Sequence, residues 1–226
     1  SKGDQSIYRL VFANGFEQAP TVYENIAGLS SVLNGPSGIR LIKQNGIWYG
    51  LVINYSSNDL VRIEFGPNLT SAVSSATILA NGGATQFNGP RGIDIAKDST
   101  GNIHLLVTNM LSSTLSVIDF GNDITSAPII NAPQAIPGGD FPLGVKIQKS
   151  CGNWYAFIPC YSGSAVIRTE FGNNFSSTAT NFTNIAFVAN ASGFDIVNDS
   201  SEWRFISSVT MGIFTNLLLA LIFLQL

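Results

Sequence analysis

Charge is what this chain has least of. Lys, Arg, Asp and Glu make up 11% of its 226 residues, against roughly 25% in an average soluble domain. The basic residues form no run, and nucleic acid is bound through clustered Lys and Arg that neutralise phosphates, so no nucleic-acid partner is expected. Histidine occurs once, as His104. A Ser-His-Asp triad would have to be built on that residue, and the chain carries no nucleophile motif such as GxSxG, so no catalytic residue is expected from this class. One histidine and two distant cysteines also make a zinc site improbable, and no metal or cofactor is expected. Cys151 and Cys160 bracket CGNWYAFIPC, which reads as one strand. At about 3.3 Å per residue its ends lie far beyond the ~7 Å Cα separation that a disulfide tolerates, so two separate thiols are expected. No signal peptide is visible; the first residues are Ser1-Lys2 rather than Met, which reads as a processed or truncated product. The longest apolar run, Met211 to Leu226, has 16 residues where a spanning helix needs about 20.

What the chain does contain is a repeat. A Gly followed by alternating apolar residues begins at Gly38, Gly92, Gly144 and Gly193, at spacings of 54, 52 and 49. An apolar-alternating run closes on Phe-Gly at Phe65, Phe120 and Phe171, and Phe12 closes a matching run with Ala in place of Gly. Between these anchors lie IWYGLVIN, NIHLLVTN, NWYAFIPC and EWRFISS, and a fourth apolar run follows Phe-Gly, as in SATILAN and SAPIINAP. Period two predicts strands, and Asn-Gly-type turns predict hairpins. Four short antiparallel strands repeating every fifty residues or so predict a β-propeller, because a lone four-stranded sheet cannot bury both faces and blades must stack. A β-sandwich with accidental similarity is the lesser alternative. The expected organisation is all-β, with about four blades, complete or as part of a larger ring. Residues 1–208 form the repeats: a partial unit 1–37, units from 38, 92 and 144, and a partial unit from 193. Since the first residues match a third strand and the repeat stops after a second, strands from both ends could complete one blade.

Residues 209–226 leave the repeat. One permitted codon spelling of Ser208 to Leu226, read from its third base, yields NIYKLAFG, close to SIYRLVFA at Ser6 to Ala13. A frameshift within a longer array is therefore one account of the tail; a membrane-associated tail, and a buried strand or helix, are the others.

GPRGIDIAKDSTGNIHLLVTN, from Gly89 to Asn109, resembles the NHL-type propeller repeat. The other units resemble propeller-like repeats of large exported surface proteins of gliding bacteria that use type IX secretion. That likeness rests on Gly-[apolar]-x-[apolar]-Ile-Lys, Asn-Trp-Tyr and [apolar]-Arg-[apolar]-[Glu/Asp]-Phe-Gly-Asn. The resemblance implies a propeller fold and an extracellular or cell-surface location, with a surface protein or glycan as partner.

The first-strand alternation places Arg40, Asp94, Lys146 and Asp195 on one face, with Ile39, Ile93, Val145 and Phe194 on the other. The first strand of a blade lies nearest the axis, so these four charges of alternating sign are the candidate ligand-binding residues of an axial channel. Pairing between adjacent blades is the favoured structural alternative. His104 aligns with Trp48, Trp154 and Trp203, which reads as a structural substitution. Glu64, Asp119 and Glu170 share one repeat position before Phe-Gly, which reads as a structural face. The Asp98-to-Asn102 segment lacks the acids of an EF-hand and reads as a hairpin turn. Trp48, Tyr49, Trp154 and Tyr155 could stack on sugars, but their fixed repeat position favours blade packing. The expected function is a noncatalytic extracellular binding or scaffold propeller, adhesive in character, on a bacterial surface; the membrane would enter only through the tail. The alternative is an NHL-like propeller lyase or hydrolase that uses the axial channel mouth.

Overall fold

The computed structural model describes residues 5–81, 83–163, 165–187, 190–199, 202–209 and 218–224. They fall into two compact units, Ser1–Gly82 and Gly83–Leu226. The first unit opens with an antiparallel ribbon of β1 (Tyr8–Val11) and β2 (Val22–Asn25). A four-stranded meander follows: β3 (Pro36–Gln44), β4 (Ile47–Asn54), β5 (Asp59–Gly66) and β6 (Ser75–Asn81), in that spatial order. Asn45 and Gly46 join β3 to β4 with φ of 50° and 82°, the left-handed pair that a tight hairpin of this hand requires. Leu29, Leu33, Val52, Val61, Ile63 and Phe65 form this unit's core. Arg9 on β1 ties the ribbon to the blade by donating to the carbonyls of Leu69 and Ser71, and it pairs with Glu24 across the ribbon.

The second unit begins with a single helical turn, α1 (Gly83–Gln86). Its first blade is β7 (Pro90–Lys97), β8 (Ile103–Asn109) and β9 (Thr114–Asp119), with the short β10 (Ile129–Ile130) and β11 (Gln134–Ala135) both on β9. The next blade is β12 (Lys146–Ser150), β13 (Asn153–Cys160), β14 (Ala165–Gly172) and β15 (Thr180–Phe187). The last is β16 (Ala191–Asp199), β17 (Glu202–Val209) and β18 (Leu218–Leu224). One apolar cluster joins the first two sheets of this unit, from Leu106 and Val117 to Val145, Ile158 and Phe171. A second, with Phe157, Val166, Ile196 and Phe205, joins the last two. These sheets thus bury their faces on one another, as blades do.

The repeat anchors now have causes. A left-handed residue precedes each first strand: Gly35 at 66°, Gly89 at 61°, Phe141 at 53° and Asn190 at 54°. A register shift then opens three of those strands, at Pro36/Gly38, Pro90/Gly92 and Ala191/Gly193. The anchor glycine itself marks close approach of neighbouring first strands. A Cβ on Gly92 would lie 2.6 Å from the Gly144 backbone, and one on Gly144 would lie 3.0 Å from the Phe194 ring. Only glycine leaves room there.

The two thiols are free, Cys151 exposed and Cys160 buried. β1 pairs with β2, and the third-strand place beside β17 is taken by Leu218–Leu224, in register from Trp203↔Leu224 to Val209↔Leu218. No described helix is long and apolar enough to cross a membrane.

Candidate functional site

The four candidate axial charges lie on the first strands, as period two requires, but in different surroundings. In the first unit Arg40 on β3 is half-buried, and its Nη1 donates to the Ile39 carbonyl at 3.0 Å. In the second unit Asp94 on β7 is 9% exposed. Its Oδ2 accepts the backbone N–H of Ile147 on the next blade's first strand at 2.8 Å. Lys146 on β12 and Asp195 on β16 form an ion pair of 3.1 Å, again between consecutive blades. Their side chains remain 27% and 67% exposed, so the pair is partly solvated and adds little to stability. Asp94 and the Lys146–Asp195 pair therefore connect successive inner strands, while Asp195 stays open to solvent.

A second cluster was not legible as such. His104 Nδ1 lies 2.5 Å from Asp119 Oδ1, and its Nε2 lies 3.2 Å from Asp98 Oδ2. The ring stacks on Phe175 of the adjacent blade, with centroids 4.3 Å apart. Asp98 also accepts the Thr100 hydroxyl at 2.7 Å and the backbone N–H groups of Thr100 and Asn102, both at 2.9 Å. Asn131 donates to the other oxygen of Asp119 at 2.8 Å. Burial disfavours the His104 cation, but hydrogen bonds and charge from Asp119 and Asp98 outweigh it and raise the pKa above 6.5. Burial also opposes the charge on Asp98. The hydrogen bonds from Thr100, His104 and Asn102 prevail, and its carboxyl is held at about 2. Both histidine nitrogens and the facing carboxylates are thereby engaged with one another, and no group of three or more His, Cys, Asp or Glu among the described residues could hold a metal ion.

The alignment of His104 with the tryptophans is corrected by the register. Lys43 faces Trp48 and Lys149 faces Trp154, whereas Lys97 faces Ile103 and His104 faces Ala96. Ile103 thus stands in the tryptophan column, and His104 stands with Tyr49 and Tyr155. The hairpin between β7 and β8 is one residue longer than its counterparts, and in a strand a one-residue slip reverses the face. Counting back six residues from Asn54, Asn109 and Cys160 would have shown it. Asp98 to Asn102 is a hairpin turn, as expected. Asp119 accepts the amide of Asn131, just past β10, and Glu170 that of Asn181 on β15, which fits a structural face. Tyr49 is buried and Trp154 packs on the core, so these aromatics serve blade packing.

With these stacked four-stranded sheets and inner-strand charges, the architecture is that of a β-propeller, complete or as a fragment. No protein-family model and no curated protein sequence matches the chain. Solved structures do. The chain is similar to an exo-β-1,3-galactanase of Phanerochaete chrysosporium with a TM-score of 0.60 and 12% identity, over 80% of this chain and 45% of that one. It is similar to the catalytic domain of a GH62 α-L-arabinofuranosidase of Coprinopsis cinerea with a TM-score of 0.58 and 12% identity, over 81% and 62%. It is also similar to a GH43 β-1,3-galactosidase with a TM-score of 0.57 and 8% identity, over 80% and 70%. The chain spans less than half the length of the galactanase chain. These neighbours correct the expectation of a noncatalytic binding or scaffold module: the propellers that the chain resembles over four-fifths of its length are glycoside hydrolases.

Proposed function

We propose that the chain is the propeller, or part of the propeller, of an enzyme that hydrolyses glycosidic bonds in galactose- or arabinose-containing glycans. The observation that carries this is the likeness, over about 80% of the chain, to three such hydrolases. The inner strands supply the chemistry the reaction needs. Glycosidic bonds are cleaved by carboxyl groups flanking the scissile bond, one as acid and one as base or nucleophile. Asp94 and Asp195 are carboxylates on first strands of alternate blades. Asp94 is buried and oriented by the Ile147 N–H, which suits a base or nucleophile of fixed geometry. Asp195 is more exposed and lies beside the Lys146 ammonium, which favours its ionised form and leaves it open to a bound glycan. Lys146 is a cation suited to sugar hydroxyls and to charge in the transition state. The sparse charge and the Ser-, Thr- and Asn-rich polar surface, together with the resemblance to exported repeats, support an extracellular setting and a glycan substrate.

The test is sugar release from β-1,3-galactan, aryl β-galactosides and aryl α-L-arabinofuranosides. Turnover is expected, with Asp94→Asn and Asp195→Asn each lowering kcat/KM by about a hundredfold. Asparagine at 94 can still accept the Ile147 N–H, so folding should survive. A folded chain that neither cleaves nor binds any of these, or that cleaves them equally well as both variants, overturns the assignment.

A further inference from the structure

Three units begin their inner strand on the same three-residue pattern, and one of them breaks it. The segments are Asn34-Gly35-Pro36, Asn88-Gly89-Pro90 and Asp140-Phe141-Pro142. The middle residue is left-handed in all three, with φ of 66°, 61° and 53°. Glycine accepts that conformation freely, whereas a Cβ crowds the following carbonyl, and for a bulky side chain such a φ is a genuine outlier. The proline that follows restricts the residue before it further. Phe141 therefore stands where a glycine would fold with less strain.

The conformation is imposed by the surrounding backbone. The Phe141 carbonyl accepts the Tyr161 N–H at 3.0 Å, and the Asp140 carbonyl accepts that of Ser162 at 3.3 Å. The equivalent bonds are donated by Tyr55 to Gly35 at 2.8 Å and by Met110 to Gly89 at 2.9 Å. A Cβ on Gly163 would lie 2.9 Å from the Gly138 carbonyl oxygen and 3.1 Å from the Asp140 nitrogen, so the segment is held closely against the β13–β14 hairpin. The ring does not offset the strain by full burial, because Phe141 is 42% exposed. Folding alone does not call for a strained, exposed and rigidly held aromatic at the start of an inner strand, and strain of this kind collects at ligand-binding positions.

We propose that Phe141 is a stacking platform for one sugar unit of a linear glycan, at the outer end of the inner strand that carries Lys146. Pro142 lies across from Cys160 and Lys146 across from Phe157, three residues back along β13, so about 10 Å of strand separates them. Phe141 is one residue further out. A single sugar ring held at the Lys146–Asp195 pair does not reach it, but the next units of a chain do. A flat exposed ring takes the apolar face of a sugar with little loss of side-chain freedom when its backbone is already fixed. The inference rests on the reading of the chain as a glycan hydrolase and sharpens its substrate: an oligosaccharide of three or more units rather than a single sugar.

Calorimetric titration of the native chain with β-1,3-galactotriose and with galactose reads the platform. The trisaccharide should bind about tenfold tighter than galactose, the factor that one stacking contact supplies. Phe141→Gly should lose that tenfold and leave galactose unaffected, with no fall in melting temperature because glycine relieves the left-handed strain. Phe141→Tyr should bind as the native chain does. A native chain that holds the trisaccharide no tighter than galactose overturns the proposal, even if Phe141→Gly fails to fold. So does a Phe141→Gly variant that keeps the trisaccharide affinity, or one that loses melting temperature and both sugars together. Turnover separates the two readings. Cleavage of aryl β-galactosides without a trisaccharide preference removes the role of Phe141 alone; a preference that depends on Phe141, without any cleavage, removes the hydrolase assignment and leaves a glycan-binding platform.

Discussion

His104 shows how one residue converts a packing position into a charged lock. Flanked by Asp98 and Asp119, the ring holds its proton more firmly than a free imidazole. The folded pKa of His104 lies above its unfolded 6.5, so its contribution is complete below about pH 6.5 and fades as pH rises through the folded value. That of Asp98 lies at about 2, below its unfolded 3.8, so its contribution is present above about pH 4 and is lost as pH falls towards 2. Stability from this cluster is therefore greatest between those limits. His104→Ala leaves two carboxylates facing each other in the cleft and should cost about 3 kcal/mol in urea unfolding at pH 6. The difference between wild type and variant should shrink at pH 9, and a difference that does not depend on pH would mean the ring acts by packing alone.

At the scale of elements, the inner strands are held by glycine and by backbone hydrogen bonds. Gly92→Ala would drive a methyl group into the Gly144 backbone and the Thr108 hydroxyl, which sits 2.5 Å from the added carbon. The first strands of the two blades must separate, and a cost of about 3 kcal/mol is expected in thermal or urea unfolding. Asp94→Ala removes the acceptor of the Ile147 N–H and leaves a buried donor unsatisfied; about 2 kcal/mol of lost stability is expected, against near-neutral behaviour for Asp94→Asn. Edges matter as well. Deleting 210–226 removes β18 and exposes the β17 edge, a template for pairing with another chain. The truncated chain should elute as concentration-dependent oligomers in gel filtration, and a strictly monomeric product would show that β18 does not protect that edge.

For the whole molecule, four-strand units with left-handed turn residues and convergent glycines follow from local pattern, and the resulting architecture reaches glycoside hydrolases at 8–12% identity. So little identity carries the fold and leaves the chemistry to particular side chains. The expectation of a passive module rested on the scarcity of clustered acids and on one histidine. In a repeat of some fifty residues, however, carboxylates on successive inner strands lie far apart in sequence and need not cluster along the chain. Asp94 and Asp195 were readable as inner-strand charges because alternation sets their face. The Lys146–Asp195 pairing between adjacent blades follows from their alternating signs; the Ile147 N–H as the partner of Asp94 does not, because a backbone donor leaves no mark in the sequence.

The sequence by itself determined the strands, their period, the four-strand unit and the glycine anchors, since these depend on short-range sterics and on burying alternate side chains. Tertiary structure alone decided that a one-residue-longer hairpin turns His104 towards Asp119, that Phe175 fills the cleft between His104 and Trp154, and that Leu218–Leu224 pairs along β17. Each of these is a contact between segments distant in the chain. Such contacts are set by how whole sheets pack and pair, which no local pattern encodes.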